Sequence, residues 1–194
     1  MNEETGDSKR QAILQAAWQV FAAYGYRKTS MDDIARAAGM SRPAVYLHFK
    51  GKEEIFRSLA QSYFDTACDA VAQALSQDDS VAQSLERAFE AQAGETIAAM
   101  LGSAHGRELL DAGETAAPDI AAEGEARLTA IYATWLQRLA DQGRVDLAGD
   151  ATATAATISA AYKGIKTASP DFPSFQQHLR ILARSIGQGL TRAG

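Results

Sequence analysis

Scarcity sets the first limits on this chain. It has one cysteine, Cys68, in 194 residues. That excludes a disulfide framework or a Cys-based zinc site within one chain, and a lone thiol fits a reducing compartment. Four prolines and fifteen glycines make up about a tenth of the residues, too few for a collagenous or low-complexity chain. No window alternates Val, Ile and Thr with polar residues as a strand does. The longest stretch without a formal charge, Gln11–Tyr26, is sixteen residues and includes Gln11, Gln15 and Gln19. It is too short and too polar for a membrane span. Met1–Asp7 carries Glu3, Glu4 and Asp7 and no base, so it does not read as a secretory leader. The chain is therefore expected to be cytoplasmic, with no membrane partner.

What is present is ordinary in amount and uneven in place. The hydrophobic fraction is 46% and the charged fraction 22%, enough for a sizeable core. The net charge is −5. Yet residues 8–52 hold Lys9, Arg10, Arg27, Lys28, Arg36, Arg42, Lys50 and Lys52 against only Asp32 and Asp33. Residues 61–194 hold ten bases against seventeen acids. A basic head on an acidic body is one arrangement that binds phosphate; a solvated basic surface is the other reading.

Helical periodicity runs throughout, and the fold class is predicted to be all-α. Ser8 with Gln11 reads as a capping box, followed by Ile13, Leu14, Ala17, Phe21 and Tyr24 at three- and four-residue steps up to Gly25. Ser30 opens a second helix with Asp32 and Asp33 in its first turn, stopped by Gly39. Ser41 caps a short third helix from Arg42 to about Phe49, with Pro43 in its first turn. A long helix is expected over Glu53–Leu75. Further helices are expected near Ser80–Ala93, Glu95–Asp111, Pro118–Asp141, Asp150–Lys166 and Pro173–Leu190, with breaks at Gly94 and at Ala112-Gly113-Glu114.

The informative segment is Thr29–Lys52, TSMDDIARAAGMSRPAVYLHFKGK. A helix, a Gly-containing turn and a second short helix make a helix-turn-helix pattern over about 30–49. The second helix of such a pair enters the major groove. Ser30 and Ser41 stand at helix N-termini, where free N–H groups can hold phosphate. Arg42 can reach guanine or phosphate, Tyr46 and His48 can donate to phosphate, and Lys50 and Lys52 are point charges for the backbone. Two packed helices with caps and a basic rim would show the same pattern.

Over Arg10 to about Phe56 the sequence resembles the TetR-type transcriptional regulators. The match runs without gaps through Ile13, Leu14, Ala17, Phe21, Gly25, Thr29, Ser30, Asp33, Ile34, Ala35, Gly39, Met40, Ser41, Val45, Tyr46, Phe49 and Lys52. The resemblance implies a DNA-binding head of three helices plus the start of a fourth, over 7–60. It implies a helical body over 61–194 that binds a small-molecule effector and forms a homodimer. By matching position, Thr29 and Ser30 would meet phosphate, Ser41, Arg42, Pro43 and Ala44 would face bases or backbone, and Tyr46, His48 and Lys52 would hold the backbone. The chain departs from the family at two places. Pro43 and Ala44 offer little hydrogen bonding at base-facing positions, and Gly51 leaves the fourth helix without a side-chain cap.

The body carries weaker signals. Tyr63, Phe64, Phe89, Met100, Leu101, His105, Tyr132, Trp135 and Tyr162 are candidate effector contacts, each of which would serve equally as core. Small residues on Asp150–Lys166, among them Ala155 and Ser159 beside Tyr162, and a stripe of Phe175, Leu179, Leu182 and Ile186 are candidates for a four-helix dimer interface or for internal packing. No metal, cofactor or catalytic constellation is expected. The expected function is a repressor that binds a palindromic DNA operator and is released by an effector. The alternative is a DNA-binding architectural or protein-interaction module without one.

Overall fold

The first helix starts earlier than its sequence suggests. In a computed structural model, which describes residues 2–147 and 149–191, α1 spans Asn2–Tyr24. Ser8 thus lies inside the helix rather than capping it. Eight further helices follow among the described residues: α2 Met31–Ala37, α3 Arg42–Tyr46, α4 Lys52–Ala74, α5 Val81–Gly102, α6 Gly106–Ala116, α7 Pro118–Asp141, α8 Ala151–Ala168 and α9 Phe172–Leu190. No strand occurs among these residues, and no helix is long and apolar enough to cross a membrane.

Two expected boundaries move. The break at Gly94 is present, with φ 53° inside α5. The helix expected over Glu95–Asp111 is instead divided at Ser103–His105. There the Ser103 hydroxyl donates to the Met100 carbonyl at 3.1 Å. Gly106 restarts the helix where a Cβ would overlap that same Met100 carbonyl. Helix α6 then runs through Ala112-Gly113-Glu114, where a break was expected, to Ala116.

The chain divides into two compact units. The first is Met1–Tyr63 together with Ala99–Ala121; the second is Phe64–Ala98 together with Ala122–Gly194. The head expected at 7–60 is therefore completed by a segment from much later in the sequence. Its core gathers Ile13, Phe21, Ile34, Val45, Phe49 and Ile55, all at most 1% exposed, and α6 contributes Leu109 and Ala112 to the same cluster. Fully burying one such side chain contributes roughly 1.5–3 kcal/mol. Phe21, Tyr26 and Phe56 pack as a ring triad with centroids 5.0–5.9 Å apart.

The second unit has its own core. Phe89 meets Tyr132 and Tyr162 at 6.1 and 5.8 Å, and Tyr162 meets Phe175 edge-on at 5.7 Å. The Tyr132 hydroxyl is buried and donates to Gln92 Oε1 at 3.0 Å, which satisfies its polar end inside the core. Cys68 is buried and its thiol is pushed up by desolvation, the environment of a packing residue rather than a reactive one.

Candidate nucleic-acid interface

Two short helices are fixed end to end by side chains the sequence marks out. The Ser30 hydroxyl accepts the Asp33 N–H at 3.3 Å, and the Asp33 carboxylate takes the Ser30 N–H at 3.0 Å. This reciprocal box starts α2. The hydroxyl hydrogen of Ser30, donated at 2.6 Å, and then its N–H hold the Asp33 carboxyl below the usual range. Gly39, at φ 64°, turns the chain. Ser41 then caps α3 by accepting the Ala44 N–H at 3.3 Å.

Helix α3 is five residues long, shorter than expected, and only Val45 on it is buried. Val45 and Phe49 anchor the segment at 0% and 1% exposure. Everything else points outward. Arg42, Pro43 and Tyr46 are exposed, Ala44 and His48 are half-buried, and Leu47 is 84% exposed. Sequence reasoning missed Leu47. Its signal was available: Val45 and Phe49, four apart, occupy the inward face and leave Leu47 opposite them.

Arg42 is tethered in the free chain. One guanidinium nitrogen lies 3.3 Å from Asp32 Oδ2, and another 3.5 Å from the Tyr46 hydroxyl. All three groups are largely exposed, so the pairing is weak and breaks readily. Lys50 is exposed at the end of the segment. Its backbone N–H donates to Glu54 Oε2 at 2.7 Å, so Glu54 supplies a side-chain bond at the start of α4 that Gly51 cannot.

Two expected phosphate contacts have internal roles instead. Thr29 is 3% exposed, and its hydroxyl donates to the Gly25 carbonyl at 2.7 Å. Its only hydroxyl hydrogen is thereby committed. Lys52 gives its ammonium to the carbonyls of Tyr26, Arg27 and Thr29, each at 2.9 Å. An ammonium has three donors, so none is left for a phosphate in this conformation.

The effector candidates divide between the two units. Phe64, Phe89, Tyr132, Trp135 and Tyr162 are buried in the second unit, whereas Tyr63, Met100, Leu101 and His105 belong to the first. Met100 packs against the head core, and His105 Nδ1 lies 3.7 Å from Glu108 Oε2. None of them lines the recess of about 220 Å³ in the second unit, which is walled by Glu86, Glu90, Phe172, Phe175, Gln176 and Arg180 among others. The dimer candidates are likewise redistributed. Ala155, Tyr162, Phe175 and Leu179 are buried within the single chain, at 0–3% exposure. Ser159 is half-buried and accepts from the Thr129 hydroxyl at 2.9 Å, while Leu182 and Ile186 are half-buried. Phe175 and Leu179 of the α9 stripe are internal core, and Phe175 packs on Tyr162.

Residues 13–59 match the bacterial regulatory proteins of the tetR family. FasR, an HTH-type transcriptional activator of Mycolicibacterium smegmatis, is 39% identical over 85 residues, 44% of this chain and 39% of that protein. SrpR, an HTH-type transcriptional regulator of Pseudomonas putida, is 45% identical over 56 residues, 29% of this chain and 26% of that protein. The matches thus span well under half the length of these relatives. The fold likeness extends further. The TetR family regulator PfmR from Thermus thermophilus superposes with a TM-score of 0.69 at 25% identity, covering 93% of this chain and 99% of that one. SmeT, the repressor of the Stenotrophomonas maltophilia multidrug efflux pump SmeDEF, does so with a TM-score of 0.71 at 18% identity, covering 95% and 91%, and a SmeT–triclosan complex is also known. The capped helix pair thus lies in a segment that matches the tetR family of bacterial regulatory proteins, and the chain as a whole shares the fold of TetR-family regulators.

Proposed function

We propose that the chain is a one-component repressor that works in the cytoplasm as a homodimer, binds a palindromic operator, and leaves it when a small-molecule effector binds. One observation carries the reading: Val45 and Phe49 turn inward, so that Arg42, Pro43, Ala44, Tyr46 and Leu47 form one outward row on α3 and its end. Arg42 supplies polar readout of a base edge, and Pro43, Ala44 and Leu47 supply apolar contact of the kind a thymine methyl accepts. Ser30, Ser41, Tyr46, His48 and Lys50 hold phosphates and set the register. Thr29 and Lys52 hold the turn that presents them.

The dimer reading moves to the outward faces of the last two helices. Ala153, Ala156, Thr157, Ala160 and Gly164 form an exposed small-residue row on α8, and Ile181 is 56% exposed on α9. Small rows let helices approach closely, and a symmetric pair of such faces makes a four-helix contact.

Selection of bound sequences from a pool of random duplexes tests the function. Enrichment of an inverted repeat supports it; retention of the whole pool without enrichment supports non-specific architectural binding. A second reading, DNA binding without an effector, has one observation in its favour: Phe89, Tyr132, Tyr162 and Phe175 already fill one another's space. A ligand that raises the melting temperature and weakens operator binding by the reciprocal factor decides for the regulator.

A further inference from the structure

Helix α6 is part of the same compact unit as the helix-turn-helix, and one of its side chains reaches the turn that precedes it. Glu108 Oε1 accepts the backbone N–H of Arg27 at 2.8 Å. Gly25, two residues earlier, is buried at φ 82°, and a Cβ there would overlap the Glu108 carboxylate. Glycine at this position therefore serves both the left-handed backbone and the approach of the acid. The helix that presents Glu108 is itself anchored in this unit. Leu109 and Ala112 lie in its core, and Arg57 donates to the carbonyl of Ala116, the last residue of α6, at 3.4 Å while gripping Asp119, at the start of α7, with two bonds of 2.7 and 2.6 Å. From the other side the Lys52 ammonium holds the Arg27 carbonyl. Three residues on, the chain reaches Ser30, the cap of α2.

We propose that Glu108 is a positioning residue for DNA binding: it pins the Arg27 peptide, and with it the α1–α2 turn, in the register that presents Ser30 and the outward row of α3. The inference rests on the DNA-binding reading above. It also makes a prediction of unusual sign. An acid in a protein that binds a polyanion opposes binding, so a Glu108 that acted only through its charge would, when removed, strengthen binding. A Glu108 that holds the turn does the opposite.

The test measures affinity for the selected operator, and for the random duplex pool, with the full-length chain as wild type, Glu108→Ala and Glu108→Gln. Amide hydrogen exchange at Arg27 is measured alongside. Glutamine keeps an acceptor oxygen and folds in the same space. The expected result is an operator affinity about tenfold weaker for Glu108→Ala, within about twofold of wild type for Glu108→Gln, and Arg27 exchange faster only in the alanine variant. The amides of Ala17 and Phe21 in α1 should stay protected in both, which separates a released turn from an unfolded head. The proposal is overturned if both variants bind as well as or better than wild type, if Gln weakens binding as much as Ala, or if Arg27 exchange is unchanged. A wild-type chain that binds neither duplex overturns the DNA-binding reading itself, a different failure from a wild type that binds and an alanine variant that matches it.

Discussion

Lys52 and Glu108 grip opposite sides of one residue: the Lys52 ammonium takes the carbonyl of Arg27 at 2.9 Å, and the Glu108 carboxylate takes its N–H at 2.8 Å. The two come from different helices, α4 and α6, and carry opposite charges. A turn without regular hydrogen bonds thereby has its backbone groups satisfied by ionised partners, each such bond contributing about 1.5–3 kcal/mol.

Lys52→Ala separates this role from that of a phosphate clamp. A clamp that loses one lysine lowers the salt slope by about one unit. A turn holder does not touch phosphate. The expected result is weaker binding to operator and random duplex with an unchanged slope, together with a lower melting temperature, in a salt titration paired with thermal unfolding. A slope reduced by one unit at unchanged stability would show that the ammonium leaves the turn for the DNA.

On the proposed reading, Asp32 competes with DNA for Arg42. The pair is 3.3 Å long with both side chains more than half exposed, so it breaks readily. Asp32→Asn removes a negative charge from the binding face and frees the guanidinium. Binding should tighten about threefold on every duplex at low salt, with the gain fading as salt rises. No change at low salt would mean that Arg42 reaches no DNA group.

How much of this was legible in the sequence depends on distance along the chain. The caps Ser30 and Ser41, the turn at Gly39 and the break at Gly94 are local signals, and they stand where the residues put them. The roles of Thr29 and Lys52 were not legible, because their partners are backbone carbonyls, which carry no residue code. The contact of Glu108 with Arg27 was not legible for a similar reason: eighty-one residues separate the two, and no periodicity links them. The stripe of α9 was legible as a stripe, but a period does not say which neighbour covers it. Tyr162 covers Phe175 within the chain.

Burial decides which substitutions test assembly. Leu179 is 3% exposed, so a charge there would unfold the body rather than split a dimer. Ala160→Glu with Ile181→Glu places acids on exposed positions instead. Light scattering should show dimer for wild type and monomer for the double variant, with the helical circular dichroism retained. A dimeric double variant would take this face out of the assembly.

The Arg57–Asp119 anchor at the start of α7 has a pH signature. Bonds from Arg57 hold the Asp119 carboxyl down at about 2, against an ordinary 3.8. A depressed acid stabilises the fold above its unfolded pKa and loses that contribution as pH falls through the folded one. Asp119→Asn should therefore melt below wild type at pH 7, and the gap should close between about pH 4 and pH 2. A gap that persists unchanged at pH 2 would mean the carboxylate's charge plays no part in the anchor.

Arg42→Ala compared with Leu47→Ala, each titrated with salt on the selected operator and on random duplex, tests the central claim that α3 reads DNA. Arg42→Ala should weaken operator binding about ten- to hundredfold and random binding much less, while Leu47→Ala should change base preference at fixed positions without altering the salt slope. If neither substitution changes affinity or preference on any duplex, the outward face of α3 does not meet DNA and the account is contradicted.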